Sequence, residues 1–587
     1  MSARTIPPHP QAGPDGGPEN GPAADADPPP DAGREPARAG GPDAGPRAAS
    51  GDPPGAGRPP LRVSLFDLGP PPPCPGRFNM ARHTLEGPGL PGAGPAPDAK
   101  IALTAIGPDG AERWSYGRLR ESVRRAAEGL RRLGLAPGAR VLLRLGNEPR
   151  FALMFFGAAG AGLVPVPTSE QLTASELARL IAAAEPAAIL CADALRGELD
   201  AACAGLAGAA PPALGDAEMA ALLRAPVGDF ADTAADDPAF MIFTSGATGA
   251  PKGVLHAHRS AWARRMMWRG WYGLTPDDVM LHAGAFNWTY TLGAGLTDPW
   301  AAGAATVVRA AAPGAPRNPA VWAELMRAHR ATIFAAAPGV HRQLLKSGAD
   351  LRAMPALRHG LTAGERAPDA LREAWRAATG TALYEALGMS EISTYISSSP
   401  DTPPRPGAAG RPQPGRRVAV LDEAGAPVPV GSDGMLAVSR RDPGLMLGYW
   451  NAPAPWRGEW FLTGDAARMD ADGYVTHLGR ADEVMNALGY RVSPAEVEEA
   501  LSAHPDVAEC AAAALPVRAD LEIIAAFVVP RPGAAPDADA ILAAAAERLA
   551  PYKRPREVIF VPELPRTANG KVRRAALAAA HRRDGAG

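Results

Sequence analysis

An α/β fold is predicted for this chain of 587 residues. It comprises a large N-terminal domain of parallel sheets with helices plus a β-rich subdomain, and a small C-terminal α+β domain. Three observations predict it. From Arg77 onward, strand-length apolar runs alternate with helical-period segments, the pattern of parallel sheets covered by helices. Between Arg417 and Val438, short strand patterns separated by Gly and Pro replace that alternation. Beyond Asp482, a stretch of roughly 100 residues carries helices and strands of its own, which is domain size.

Taken in order, residues 1–76 come first and differ from everything after them. They hold 21 Pro, 13 Gly and one aromatic residue, Phe66. Such a segment buries too little apolar surface to offset chain entropy, so a disordered extension is expected over 1–76. The rest is assigned element by element, with boundaries at 77–481 and 482–587. Leu119–Leu133 has amphipathic spacing and ends at Gly134 and Pro137-Gly138, so it reads as a helix. Val141–Leu145 is a strand, Glu148–Ala159 a helix, Leu163–Val166 a strand, Ser175–Ala184 a helix and Ala187–Cys191 a strand. The alternation recurs at Trp322–His329, Thr332–Phe334 and Val340–Lys346. The last unit reads as a helix over Pro494–Ala503, strands over Val507–Leu515 and Ile523–Val529, a helix over Ala538–Leu549 and a strand over Val558–Phe560.

Composition excludes several classes. A net charge of −2 gives no reason to expect nucleic acid or an acidic membrane as partner. Four cysteines without CxxC spacing fit a reducing, cytoplasmic setting and no disulfide framework. Met1–Gln11 has no apolar segment of the signal-peptide kind. Phe151–Ser169 is free of charge for 19 residues, but its glycines and prolines favour a buried helix followed by a strand over a membrane span.

The most informative segment is Thr244-Ser245-Gly246-Ala247-Thr248-Gly249-Ala250-Pro251-Lys252-Gly253. It follows the apolar strand Phe240–Phe243, and the residues from Val254 to Arg265 read as a helix. Strand, glycine-rich loop and helix would wrap phosphates with bare N–H groups, with the hydroxyls of Thr244, Ser245 and Thr248, and with the Lys252 ammonium. The glycines Gly246 and Gly249 let the backbone approach. A Walker loop is excluded, because Pro precedes Lys252 and Gly follows it.

Five more segments follow in order: Thr362-Ala363-Gly364-Glu365, Tyr384–Glu391, Thr463-Gly464-Asp465, Gly479–Glu483 and Pro565–Lys571. With the first loop, they make the chain from about Phe78 to Leu577 closely resemble the adenylate-forming (AMP-binding) superfamily, in its acyl-CoA synthetase branch. Within that branch it is similar to medium-chain acyl-CoA synthetases and benzoate-CoA ligases. The resemblance implies a two-step, ATP-dependent reaction. A carboxylate attacks the α-phosphate, giving acyl-adenylate and pyrophosphate; the thiol of coenzyme A then displaces AMP. It also implies that the C-terminal domain is mobile.

Residue by residue, the resemblance implies the following roles. Tyr384 stacks near adenine with Glu385 beside it, Gly364 and Glu365 approach the adenine face, Ser390 bonds the α-phosphate, and Glu391 holds Mg²⁺. Asp465 and Arg480 contact the ribose. Asp482 is the hinge, and Gly489, Tyr490 and Arg491 lie beside the pantetheine path of coenzyme A. Lys571 bridges carboxylate and α-phosphate, an electrostatic role suited to an ammonium between two anions. The acyl pocket is expected from Phe286, Asn287, Trp288 and Tyr290, with Gly388 opposite. The medium-chain branch usually has Asp-Thr-Gly-Trp where this chain has Ala285-Phe286-Asn287-Trp288, so whether the acid is aliphatic or aromatic stays open. Two other readings are an adenylation enzyme loading a carrier protein and a non-catalytic nucleotide-binding protein. The first lacks an Asp at 283–288 to hold an α-ammonium; against the second, Lys252, Glu391, Asp465 and Lys571 are all present. The sequence leaves oligomeric state open.

Overall fold

The computed structural model describes residues 60–584 apart from 207, 246–250, 311–317, 353, 451, 482–484, 488–489, 519–520, 550 and 567–571. Its largest sheet has nine strands. Six of them, Ile101–Gly107, Ala305–Arg309, Val279–His282, Ile333–Ala336, His359–Ala363 and Ala382–Met389, run parallel as neighbours in that order. Antiparallel strands close both edges, Gly110–Ser115 on one and Ser393–Ser397 with Arg411–Pro412 on the other. A four-stranded parallel sheet is built from Val164–Pro167, Arg140–Arg144, Ala188–Cys191 and Ala213–Leu214.

Local chemistry explains the helices between these strands. Tyr116–Arg131 starts at Ser115, whose hydroxyl accepts from the Arg118 N–H, and it buries Leu119, Val123, Ala126 and Leu130 at helical spacing. Ala174–Ala184 opens with a Thr173/Glu176 capping box. Pro149–Gly160 takes its proline at the first turn and is buried on every side, with Phe151, Phe155 and Phe156 all inaccessible. The charge-free stretch is therefore a core helix and the following strand Val164–Pro167. No helix among the described residues is long and apolar enough to cross a membrane.

The β-rich part is an antiparallel sheet of Leu65–Asp67, Arg417–Leu421, Asp433–Ser439, Trp460–Met469, Trp456–Arg457 and Val475–Arg480. Its first strand corrects an expectation. The segment expected to be disordered to residue 76 contributes Leu65–Asp67, paired with Arg417–Ala419. Phe66 is 3 % exposed and packs against Val418, Phe461 and Val475. Three residues are too few to register as a strand in so Pro-rich a context; pairing and one buried ring hold them. Residues 1–59 lie outside the described residues.

The C-terminal part follows the expected order. The helix Pro494–Ser502 packs with a sheet of Val507–Arg518, Leu521–Pro530 and Glu557–Phe560 and with the helix Ala538–Ala546. A final helix, Arg574–Asp584, was not foreseen.

Candidate active site

The carboxyl ends of the parallel strands all open onto one region, where ligands of α/β sheets collect. His282 ends one strand and leads into Ala283–Trp288; Ala363 ends another and leads into Gly364–Glu365; the strand Ala382–Met389 leads into Ser390–Glu391.

The glycine-rich loop is built differently from expectation. Pro251–Ala257 is a strand, antiparallel to Pro238–Ser245, and the first helix after it starts only at Arg259. The apolar run Val254-Leu255 suits a short strand and a helix equally well. Pro251 and Gly253 disfavour a helix, and ladder pairing with Ile242 and Met241 decides the matter. Residues 246–250, which include Gly246, Thr248 and Gly249 and lie outside the described residues, therefore join two strands. No helix N-terminus follows directly, so phosphate binding here would rest on loop N–H groups and side chains rather than a macrodipole. The register sets Thr244 opposite Lys252 and Ser245 opposite Pro251, so hydroxyl and ammonium share one face of the hairpin.

A short strand, Gly448–Tyr449, pairs with this hairpin and ties it to Glu391. The Met446 N–H donates to the Glu391 carbonyl, and the Trp450 N–H to the Gly253 carbonyl. The Tyr449 hydroxyl donates to Glu391 Oε1 at 2.7 Å, while Lys252 Nζ lies 5.4 Å from the Tyr449 ring centre. Burial, the Glu391 charge and that hydrogen bond push the Tyr449 phenol up, so it stays a donor. Tyr449 was missed by the sequence reading; nothing local marks Gly-Tyr-Trp as functional.

Glu391 sits where the chain reverses between Ala382–Met389 and Ser393–Ser397. A Cβ at Gly388 would stand 2.6 Å from the Ser393 carbonyl oxygen, so the reversal needs glycine there. Gly388 thus shapes the turn that presents Ser390 and Glu391. On the far side of that turn, Tyr395 is fully buried; burial and the nearby charges of Asp465 and Glu391 push its phenol well up. The carboxylates expected at ribose and at metal therefore flank one tyrosine.

Asp465 and Arg480 face each other across paired strands. Arg480 Nη1 donates to the Thr463 carbonyl at 2.8 Å and lies 3.4 Å from Asp465 Oδ1, with His477 Nε2 also 3.4 Å from that oxygen. Gly464, at φ +77°, leaves room for the guanidinium directly above it.

Trp288 lies against Gly364. A Cβ on that glycine would be 2.6 Å from Trp288 Cζ2, and Gly364 has φ +97°. Tyr290 meets the indole edge to face at 5.3 Å and donates its hydroxyl to the Leu361 carbonyl. Glu365 is 3.6 Å from Arg342. Asn287 is half-buried on the same loop as Trp288.

Two expected site residues are corrected. Glu385 is 4 % exposed, its carboxylate held by protein groups. Its carboxylate accepts from Arg372 Nη1 at 2.7 Å and from the Ala367 N–H at 2.9 Å, and burial, opposed by Arg372, raises its pKa to about 7. Strand alternation is the reason: it turns Tyr384 and Glu385 to opposite faces. Tyr384 keeps a half-buried position edge-on to His359 at 5.1 Å. Phe286 is 1 % exposed and packs on Phe151 at 5.1 Å in the core. Asn147 turns it there, accepting from the Phe286 N–H and donating to the Gly284 carbonyl. Tyr490 and Arg491 form a two-stranded hairpin with Ala487 and Asn486. Asp482, Gly489 and Lys571 lie outside the described residues.

Comparison with known proteins gives the family. Among curated relatives, 3-hydroxybenzoate–CoA ligase of Aromatoleum sp. (strain CIB) is 31 % identical over 79 % of this chain and 91 % of its own length. Mitochondrial acyl-coenzyme A synthetase ACSM5 of Mus musculus is 33 % identical over 79 % of this chain and 84 % of its own. Among solved structures, the anthranilate CoA ligase AuaEII in complex with anthranoyl-AMP superimposes with a TM-score of 0.77 at 27 % identity, covering 87 % of this chain and 99 % of that one. The AMP-binding enzyme model matches residues 93–450 and the AMP-binding enzyme C-terminal domain model residues 496–571, and on these matches the chain belongs to the AMP-binding enzyme family.

Proposed function

We propose that this protein joins a carboxylic acid to coenzyme A at the expense of ATP, through an acyl-adenylate, with release of pyrophosphate and then AMP, and that the acid is aromatic or medium-chain. The observation that carries the reading is the Lys252–Tyr449–Glu391 cluster on the phosphate hairpin, facing the same sheet end as the Trp288–Gly364 slot. The cluster has the charge to neutralise phosphate, and the slot has an aromatic surface suited to an acyl group; both support this reading.

In this reading Thr244, Ser245 and Lys252 hold the β- and γ-phosphates, with Gly246, Thr248 and Gly249 completing the loop. Phosphoryl chemistry of this kind depends on positioning and charge neutralisation. Tyr384, Gly364 and Glu365 border the adenine, and Asp465 with Arg480 takes the ribose. Glu391 fits a magnesium ion: among the described residues only Tyr449 donates to it, at Oε1, which leaves Oε2 for a hard cation otherwise bound by phosphate oxygens. No group of three or more His, Cys, Asp or Glu among the described residues competes as a metal site. When bound, such an ion supplies charge neutralisation at the phosphates. Ser390 stands at the α-phosphate, and Lys571 bridges it to the incoming carboxylate. The residues after 481 form the mobile C-terminal domain, pivoting at Asp482 and presenting Gly489, Tyr490 and Arg491 to the pantetheine arm.

The test measures both half-reactions. Lys571→Ala should lose roughly 10²–10³-fold in acyl-AMP formation yet convert pre-made acyl-AMP to acyl-CoA near the wild-type rate. Asp482→Pro, which restricts φ, should make acyl-AMP and transfer it slowly. Equal loss of both steps in Lys571→Ala would make that lysine structural. Absence of pyrophosphate release with every acid tried would overturn the function itself.

A further inference from the structure

The strand Arg140–Arg144 of the four-stranded sheet leads through Gly146 and Asn147 into the helix Pro149–Gly160. There it meets the segment Ala283–Trp288, which leaves the nine-stranded sheet after His282. Asn147 Nδ2 donates to the Gly284 carbonyl at 2.7 Å, and Asn147 Oδ1 accepts from the Phe286 N–H at 2.8 Å. A carbonyl can only accept and a backbone N–H only donate, so both partners demand the same orientation of the amide. The helix that follows carries Phe151, whose inaccessible ring meets that of Phe286 at 5.1 Å. One turn of chain thus grips the segment by its backbone and by a buried ring.

Among the described residues, Asn147 is the only side chain from outside the segment and its own strand that bonds the segment's backbone. His282 Nδ1 accepts from the Gly284 N–H at 3.0 Å, and the Ala283 N–H donates to the Ala335 carbonyl at 2.9 Å. Gly284 is also tightly enclosed: a Cβ there would stand 2.1 Å from Thr291 Oγ1. Beyond the clamp, the Trp288 N–H donates to the Ala285 carbonyl at 3.1 Å and closes a turn over the clamped residues. Moving that turn moves the indole, and the indole is the side chain that lies against Gly364.

We propose that Asn147 is a specificity-determining positioning residue: by clamping Gly284 and Phe286 it holds Trp288 against Gly364 and so sets which acids the slot admits. The inference rests on the reading of the Trp288–Gly364 slot as the acyl site. Asn147 acts through the segment and touches neither the acid nor the nucleotide.

The experiment compares the wild type with Asn147→Ala, which removes both hydrogen bonds, and with Asn147→Asp, which keeps the acceptor for the Phe286 N–H and loses the donor to Gly284. Straight-chain acids and 4-alkylbenzoates of increasing length are ranked by kcat/KM from pyrophosphate release. ATP binding is measured by calorimetry without acid. In Asn147→Ala, kcat/KM for the best wild-type acid should fall roughly tenfold to a hundredfold, the scale of displacing a substrate-positioning group by about 1 Å. The ranking by bulk should change, and Asn147→Asp should do the same to a smaller extent. The ATP Kd should stay within about twofold, as expected of an independent site. In a Trp288→Ala background, adding Asn147→Ala should leave the ranking as Trp288→Ala alone sets it. An unmoved ranking in both Asn147 variants overturns the proposal. So does an ATP Kd that rises in step with the loss on the acids, or a ranking change that persists without Trp288. If Asn147→Ala does not fold, Asn147→Asp decides by the same readouts. Turnover with an unmoved ranking sinks this inference alone, whereas a wild type that releases no pyrophosphate with any acid sinks the underlying function.

Discussion

The contact between Trp288 and Gly364 allows a double-mutant cycle whose outcome can be worked from distances. In Gly364→Ala the new Cβ would lie 2.6 Å from Trp288 Cζ2 and 2.8 Å from Cη2, well inside contact distance. The indole would have to withdraw by about 1 Å, an overpacking cost of about 1–3 kcal/mol. The backbone at φ +97° adds about 1–3 kcal/mol of its own for a non-glycine residue. Trp288→Ala alone gives up the edge-to-face contact with Tyr290, worth about 0.5–1.5 kcal/mol, and widens the slot. In the double variant the clash is gone and only the backbone strain remains. The two changes should therefore couple by about 1–3 kcal/mol, and kcat/KM for adenylate formation, read by pyrophosphate release, should recover part of the Gly364→Ala loss. The same assays on acids of increasing bulk should show Trp288→Ala shifting preference towards larger acids. Additivity within about 0.5 kcal/mol, or an unchanged ranking of acids, would refute the placement of Trp288 as a wall of the acyl slot.

Other expectations follow from the rest of the structure. Removing residues 1–59 should leave the melting temperature unchanged, whereas removing 1–76 should lower it by several degrees. The longer deletion takes away the strand Leu65–Asp67 and the buried Phe66, and a lost buried Phe side chain costs about 3–5 kcal/mol; equal melting temperatures would show the strand to be dispensable. Burial lowers the pKa of His83, His256, His258, His341 and His359 to about 4 and of His282 to about 3. Unfolding then takes up protons below the ordinary value of 6.5, so these groups leave stability intact above about pH 6.5 and remove it as the pH falls towards 4. The melting temperature should drop steeply over that window, and a flat profile between pH 6.5 and 5 contradicts their being buried and neutral. Arg366 follows Gly364-Glu365 and donates to Glu499 at 2.7 Å on the helix Pro494–Ser502. A part-exposed pair is worth at most about 1 kcal/mol, so Arg366→Ala should change the ratio of the two half-reactions by no more than about fivefold. A larger change, or a large fall in melting temperature, would give this contact a different role.

By itself the sequence determined the α/β alternation, the order of the motif segments and the family they mark. Periodicity and punctuation are local properties, so Tyr116–Arg131, Pro149–Gly160, Pro494–Ser502 and the strands between such helices were legible from neighbours in the chain. Other features depend on partners far away in sequence. The run after Lys252 became a strand because Val254 and Leu255 found ladder partners in Ile242 and Met241. Leu65–Asp67 exists because Arg417–Ala419 lies ready to pair with it. Glu385 stood inside a motif, yet strand alternation and Arg372 took it into the interior; Phe286 stood in the expected pocket, yet Asn147 and Phe151 turned it into the core. Tyr449 joined Glu391 and Lys252 only because Gly448–Tyr449 came to lie beside the glycine-rich hairpin. Burial and the direction of a side chain are set by the packing of distant segments, and that is why only the tertiary structure could decide which of the motif residues face the site.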